Sequence, residues 1–204
     1  MELEYSKRGI TFQKQLNALD EFTIGFCRIL DALKIRYVIV SGYVAILFGR
    51  NRASEDIDIL TEKITFEKFG GLWKELMKHY DCVNPCDMSE AYHEYFMNDC
   101  ALRFSRKGTI IPNAEVKFAS NPLHAYALGN RMKVTLNDVV LFISPLEMQI
   151  PYKITLGSDK DLEDARFLYK LFKDKLDKNN LKRWLSGLKV KDKDAKECLG
   201  DWNE

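Results

Sequence analysis

Tyr37-Val38-Ile39-Val40 is apolar at every position, without the alternation of a half-exposed strand, and Ser41-Gly42 follows it at once. A strand of that pattern is buried on both faces, so the sheet that contains it must be covered on both sides. Tyr43 to Phe48 reads as a short helix that stops at Gly49. The polar turn Asn51-Arg52-Ala53-Ser54-Glu55 then leads into Asp56-Ile57-Asp58-Ile59-Leu60, where charged and apolar side chains alternate with period two, as in a half-buried strand. Any fold for this chain has to accommodate that unit of buried strand, glycine turn, helix and acidic strand.

The flanking regions follow from their periods. Phe12, Leu16, Leu19, Phe22, Ile29, Leu30 and Leu33 predict an amphipathic helix over 11–34, and the apolar stripe from Phe66 to Tyr80 predicts another. Residues 81–98 carry no clear period. Alternation at Ala101 to Phe104, Thr109 to Ile111, Glu115 to Phe118 and Met132 to Leu136 predicts strands, with turns at Lys107-Gly108, Pro112-Asn113 and Gly129-Asn130. Ser144-Pro145-Leu146-Glu147 has the form of a capping box with Pro at the first helical position. Helices are expected at about 145–156, 160–174 and 178–187, and the Lys/Asp-rich stretch 189–197 reads as a frayed tail. The expected class is α+β, with residues 1–143 forming the core and residues 144–204 a helical bundle packed on it.

With 46% hydrophobic and 30% charged residues and only 11 Gly and 5 Pro in 204, the chain is neither disordered nor fibrous. The 31 basic residues are balanced by 30 acidic ones, so a nucleic-acid or anionic-lipid partner would need a local patch. Lys178, Lys182, Arg183, Lys189, Lys191, Lys193 and Lys196 are interleaved with acids and read as a solvated face rather than an RNA site. No apolar run approaches the ~20 residues of a membrane span. Met1-Glu2-Leu3-Glu4-Tyr5 lacks the marks of a secretory signal, so a cytoplasmic location is expected. The five cysteines (27, 82, 86, 100 and 198) suit reduced thiols, and the spacing of His79, Cys82, Cys86 and His93 matches no strong zinc pattern.

The chemistry is concentrated around the acidic strand. Asp56 and Asp58 stand at i and i+2, so both carboxylates project from one face. Two such neighbours repel unless a cation lies between them, and paired oxygen ligands of this kind suit Mg²⁺ together with substrate phosphates. Upstream, a strand that ends in Ser41-Gly42 and opens a helix presents free backbone N–H groups to an anion. Gly42 would let phosphates approach without a Cβ in the way, and the Ser41 hydroxyl would add a donor.

Ser41-Gly42, Ala45, Gly49, Arg52, Ser54 and Asp56-Ile57-Asp58-Ile59 together resemble the signature of the nucleotidyltransferase superfamily with the DNA-polymerase-β-like fold. The resemblance is closest to the minimal nucleotidyltransferases of toxin–antitoxin and abortive-infection systems. Ser41 stands where Gly is usual, and Ala45 lies one place later than is commonest.

The resemblance implies a mixed sheet flanked by helices and a third carboxylate on a later strand, for which Glu115 is the candidate. The plain alternative is an exposed Glu115 paired with Lys117 or Arg103. It also implies two Mg²⁺ ions, or Mn²⁺, held by Asp56, Asp58 and Glu115, and a Lys near the nucleotide phosphates, here Lys153. Lys153 is otherwise a helix-surface lysine. Asp161 and Asp164, at i and i+3, would orient Lys153 or bind the acceptor. Arg52 would bind phosphate or hold its loop onto the Asp strand. The implied activity transfers a nucleoside monophosphate from an NTP to an acceptor hydroxyl on tRNA, protein or a small molecule, with a toxin–antitoxin partner. The alternative is a non-catalytic nucleotide-binding or antitoxin-like protein on the same fold.

Overall fold

The computed structural model describes residues 2–6 and 9–202. Strands β1 (Glu4–Ser6) and β2 (Gly9–Phe12) pair antiparallel and precede helix α1 (Ala18–Ala32). Then come β3 (Tyr37–Val40), α2 (Gly42–Leu47), β4 (Asp56–Thr61), α3 (Phe66–Leu76) and β5 (Tyr80–Cys82). After α4 (Met88–Glu90) the chain runs through a π turn and a 3₁₀ turn to β6 (Leu102–Arg106), β7 (Asn113–Phe118), α5 (Pro122–Gly129), β8 (Met132–Leu136) and β9 (Val139–Ile143). Helices α6 (Leu146–Leu156), α7 (Asp159–Phe172), α8 (Lys178–Gly187) and α9 (Asp192–Leu199) complete the chain.

Among the described residues the strands form one sheet in the order β1-β2-β8-β9-β3-β4-β7-β6-β5. It is mixed: β3 runs antiparallel to β4 and parallel to β9, and β4 runs parallel to β7. The α+β expectation and the buried character of β3 are both met, since Tyr37, Val38 and Ile39 are fully covered. The faces of β4 differ. Ile57 and Ile59 enter the main core with Phe22, Phe26 and Leu30 of α1, whereas Leu60 packs with Val38, Ala127, Leu128 and Met148 on the opposite side. Period two therefore sends Asp56 and Asp58 to the side covered by α5 and α6.

The structure corrects several expectations. The first helix starts at Ala18, not near residue 11, because Asn17 and Asp20 form a capping box that fixes its start and Phe12 belongs to β2. Asp20 is fully buried and takes hydrogen bonds from Lys14 Nζ (2.9 Å) and Tyr43 Oη (2.8 Å), which ties α1 to α2. The second predicted helix ends at Leu76, and Tyr80 enters β5. Thr109 to Ile111 lies in the β6–β7 connection, where Ile110 is largely exposed. Ser144 is not a helix cap: Pro145 holds that position, and Glu147 accepts from the backbone N–H of Asp177 (3.0 Å). The stretch expected to fray contains α9, whose Ala195, Cys198 and Leu199 are buried along with Trp202. Leu199→Ala is expected to lower the unfolding free energy by about 2 kcal/mol in urea titration; a frayed tail would give no change.

Candidate active site

Parallel pairing of β4 with β7 sets Asp58 directly beside Glu115 and Asp56 beside Asn113. Asp58 and Glu115 line one cavity of about 170 Å³ on the α5–α6 side of the sheet. Its floor is Val40, Ser41, Leu60 and Lys117, and its walls are Leu123, His124 and Ala127 of α5 with Met148, Gln149 and Tyr152 of α6. Burial raises the Asp58 carboxyl to about 6; the Ser41 hydroxyl opposes that rise, and the neighbouring Asp56 and Glu115 add to it.

The other two carboxylates are engaged. Glu115 pairs at 2.5 Å with Arg103, its cross-strand neighbour on β6, as the plain reading of the sequence had it. Asp56 accepts from Ser54 Oγ at 3.1 Å. Among the described residues no three His, Cys, Asp or Glu side chains are gathered as a metal site as they stand. The donor set still fits a hard cation: two carboxylates lie side by side with a third two residues away, and each raises the proton affinity of Asp58. The Arg103 side chain is 54% exposed, and an ion pair that open is worth about 0–1 kcal/mol, so Glu115 gives it up at little cost.

The turn into α2 is strained and clamped. Ser41 has φ +64° and ψ −139°, a region natural to glycine, and its side chain makes no cap hydrogen bond. Its carbonyl accepts from Gln149 Nε2 at 2.8 Å, and Gln149 in turn accepts from Ser144 Oγ at 2.7 Å. Both of those side chains are buried, so the clamp is rigid. At Gly42 a Cβ would lie 2.7 Å from Arg52 Nη2, so its missing side chain makes room for the Arg52 guanidinium.

Arg52 is held in turn by Asp164 Oδ2 at 2.8 Å. Asp164 is fully buried and also pairs with Arg50 and, at 2.6 Å, with Lys153 Nζ. Lys153 is 1% exposed and reaches Asp161 at 3.0 Å as well. Arg50 adds Glu163 and the Lys160 carbonyl. Burial pulls the Lys153 pKa down and Asp161 partly restores it. For Asp161, burial acts upward, but hydrogen bonds from Ser158 and Lys153 outweigh it and leave the group below its usual value.

Lys153, Asp161 and Asp164, grouped in the sequence reading, are brought together, with both acids paired to the lysine. Lys153 is, however, neither a surface lysine nor part of the cavity lining. Arg52 holds its loop to α7 rather than to the Asp strand. Arg50, Ser144 and Gln149 were missed. Arg50 stands at i−2 from Arg52 in one polar loop, a hint that was available, whereas nothing in the sequence marks the Gln149 clamp.

The fold matches that of an antigenic nucleotidyltransferase-like protein from Paracoccidioides brasiliensis, with a TM-score of 0.56 at 19% identity, covering 87% of this chain and 90% of that one. Lower scores are found for the antibiotic-resistance factor ANT(2'')-Ia (TM-score 0.49, 10% identity, 83% and 92% covered). They are also found for MenT4, a nucleotidyltransferase toxin from Mycobacterium tuberculosis (TM-score 0.46, 15% identity, 82% and 62% covered). No protein-family model matches the chain, and no curated protein does. The architecture is that of a nucleotidyltransferase-like protein; at these identities the likeness is one of fold.

Two stability outcomes follow. Asp164→Ala strands three cations and is expected to cost about 3–5 kcal/mol by urea unfolding. Ser41→Gly relieves the positive φ and is expected to gain about 1 kcal/mol in the same measurement.

Proposed function

We propose that the chain is a metal-dependent nucleotidyltransferase that moves a nucleoside monophosphate from an NTP to an acceptor hydroxyl. What supports this most is the register that sets Glu115 beside Asp58, one pleat from Asp56, in a cavity that also contains Ser41 at the start of α2. Asp56, Asp58 and Glu115 would hold Mg²⁺. Bound there, the metal would offset the negative charge of the α-phosphate and of the departing pyrophosphate.

The chain's own groups do the positioning. Backbone N–H groups at Ser41 and Gly42 would meet the triphosphate, and the Gln149 clamp on the Ser41 carbonyl keeps that turn from relaxing. Arg50, Arg52 and Lys153 hold the turn's far side through Asp164. The acceptor oxygen forms the new bond to the α-phosphorus as the bond to the α–β bridging oxygen breaks; pyrophosphate leaves and the hydroxyl proton passes to water.

A second reading, a nucleotide-binding protein without turnover, is favoured by one observation: Glu115 is paired with Arg103. Labelled NTPs with Mg²⁺ and a panel of tRNA, protein and small-molecule acceptors separate the two. Transfer that is lost in Asp58→Asn is the expected result. Mg²⁺-dependent NTP binding with no transfer to any acceptor overturns the enzyme and leaves the second reading.

Asp58→Asn also has an expected stability effect in EDTA. A carboxyl raised from 3.8 to about 6 binds its proton more tightly in the folded state, so it destabilises the fold above that pH and carries no penalty below 3.8. The variant should gain about 1–3 kcal/mol at pH 7.5, and the gain should vanish as the pH falls below 4.

A further inference from the structure

Lys117 lies one pleat beyond Glu115 on the same face of β7, opposite Leu60 and further from Asp56. It lines the cavity, and its ammonium makes no hydrogen bond or ion pair among the described residues. His124, on the first turn of α5, lines the same cavity. Its tautomer can be deduced. The backbone N–H of His124 donates to Asn121 Oδ1 at 2.8 Å, so the other end of that amide, Nδ2, faces the ring at 3.1 Å. An amide nitrogen only donates, hence Nδ1 accepts and the neutral ring carries its proton on Nε2. Burial and the Lys117 charge lower the His124 pKa against the opposing charge of Asp99, which favours the neutral ring. Nε2–H has no partner among the described residues.

Along β7 the cavity lining passes from Glu115, beside Asp58, to Lys117, so a cation and a fixed N–H donor stand beyond the two carboxylates; the charge of Asp99 also reaches His124 from outside the lining. We propose that Lys117 and His124 form a phosphate-binding subsite at that end of the cavity. The choice of phosphate among oxyanions rests on the nucleotidyl-transfer reading, and the phosphate is either part of the NTP or a phosphodiester of the acceptor. In both cases the groups are the same: Lys117 supplies charge and the Nε2–H of His124 supplies direction.

Long-range ¹H–¹⁵N spectra of the full chain in EDTA test this, because the chain has only three His and His79 and His93 act as internal controls. Unliganded protein should show His124 as the Nε2–H tautomer. Inorganic phosphate should shift the His124 ring signals alone. Lys117→Met should weaken that response about tenfold or more, and Lys117→Arg, which keeps the charge and guards against a folding artefact, should retain it.

Repeating the titration with an NTP and with a short RNA lacking a triphosphate tells the sources apart: the ligand whose affinity falls in Lys117→Met is the one the subsite serves. A His124 ring that ignores phosphate overturns the proposal, as does a response that Lys117→Met leaves intact. The spectra do not require turnover, so a responding chain that transfers no nucleotide supports the subsite and sinks only the transferase reading.

Discussion

A single buried carboxylate organises the region behind the cleft. Asp164 has no solvent exposure and is shared by Arg50, Arg52 and Lys153, which come from the loop after α2 and from α6. Removing one partner of such a cluster leaves charge stranded in a dry interior, so the three segments are bound to a common arrangement. The constraint passes forward. Arg52, fixed by Asp164, occupies the space over Gly42, and the glycine therefore belongs to the ion-pair cluster as much as to the turn it opens. From the other side Gln149 holds the Ser41 carbonyl. A two-residue turn is thus gripped by α6 on one flank and by an arginine anchored to α7 on the other.

That grip accounts for a backbone conformation the residue itself disfavours. Serine at positive φ is costly by about 1–3 kcal/mol and persists only where the surroundings over-determine it. Ser41 meets that condition, and its hydroxyl faces Asp58, where a glycine would offer nothing.

Much of this was legible in the sequence, and the parts that were not share a cause. The β3–α2–β4 unit could be read because each piece has a distinct pattern: an unbroken apolar run, a glycine turn, then period two. Glu115 could be placed beside the Asp pair only because the family resemblance implies a third carboxylate on a later strand, and it took the sheet to reveal that Arg103 lies opposite. By contrast α5 buries just Ala127 and Leu128, and α9 just Ala195, Cys198 and Leu199, so neither shows the broad stripe that marks a helix. Hydrogen bonds such as Ser144 to Gln149 to Ser41 join side chains of no special type across long separations, and no local pattern announces them. The burial of Lys153 was hidden for a similar reason, since lysine is rarely found inside unless paired, and its partners lie on another helix.

The strand order has a consequence for how the molecule comes into being. β3 is flanked by β4 and by β9, which ends at Ile143, and the turn that follows β3 is held by Gln149 and, through Arg52, by Asp164. On a ribosome the first of these segments emerges long before the last, and contacts so distant along the chain close late. The acidic strand can exist in a nascent chain, but its cleft cannot. The cavity takes shape only after most of the polypeptide has been synthesised, so an unfinished chain carries the carboxylates without the pocket that gives them a use.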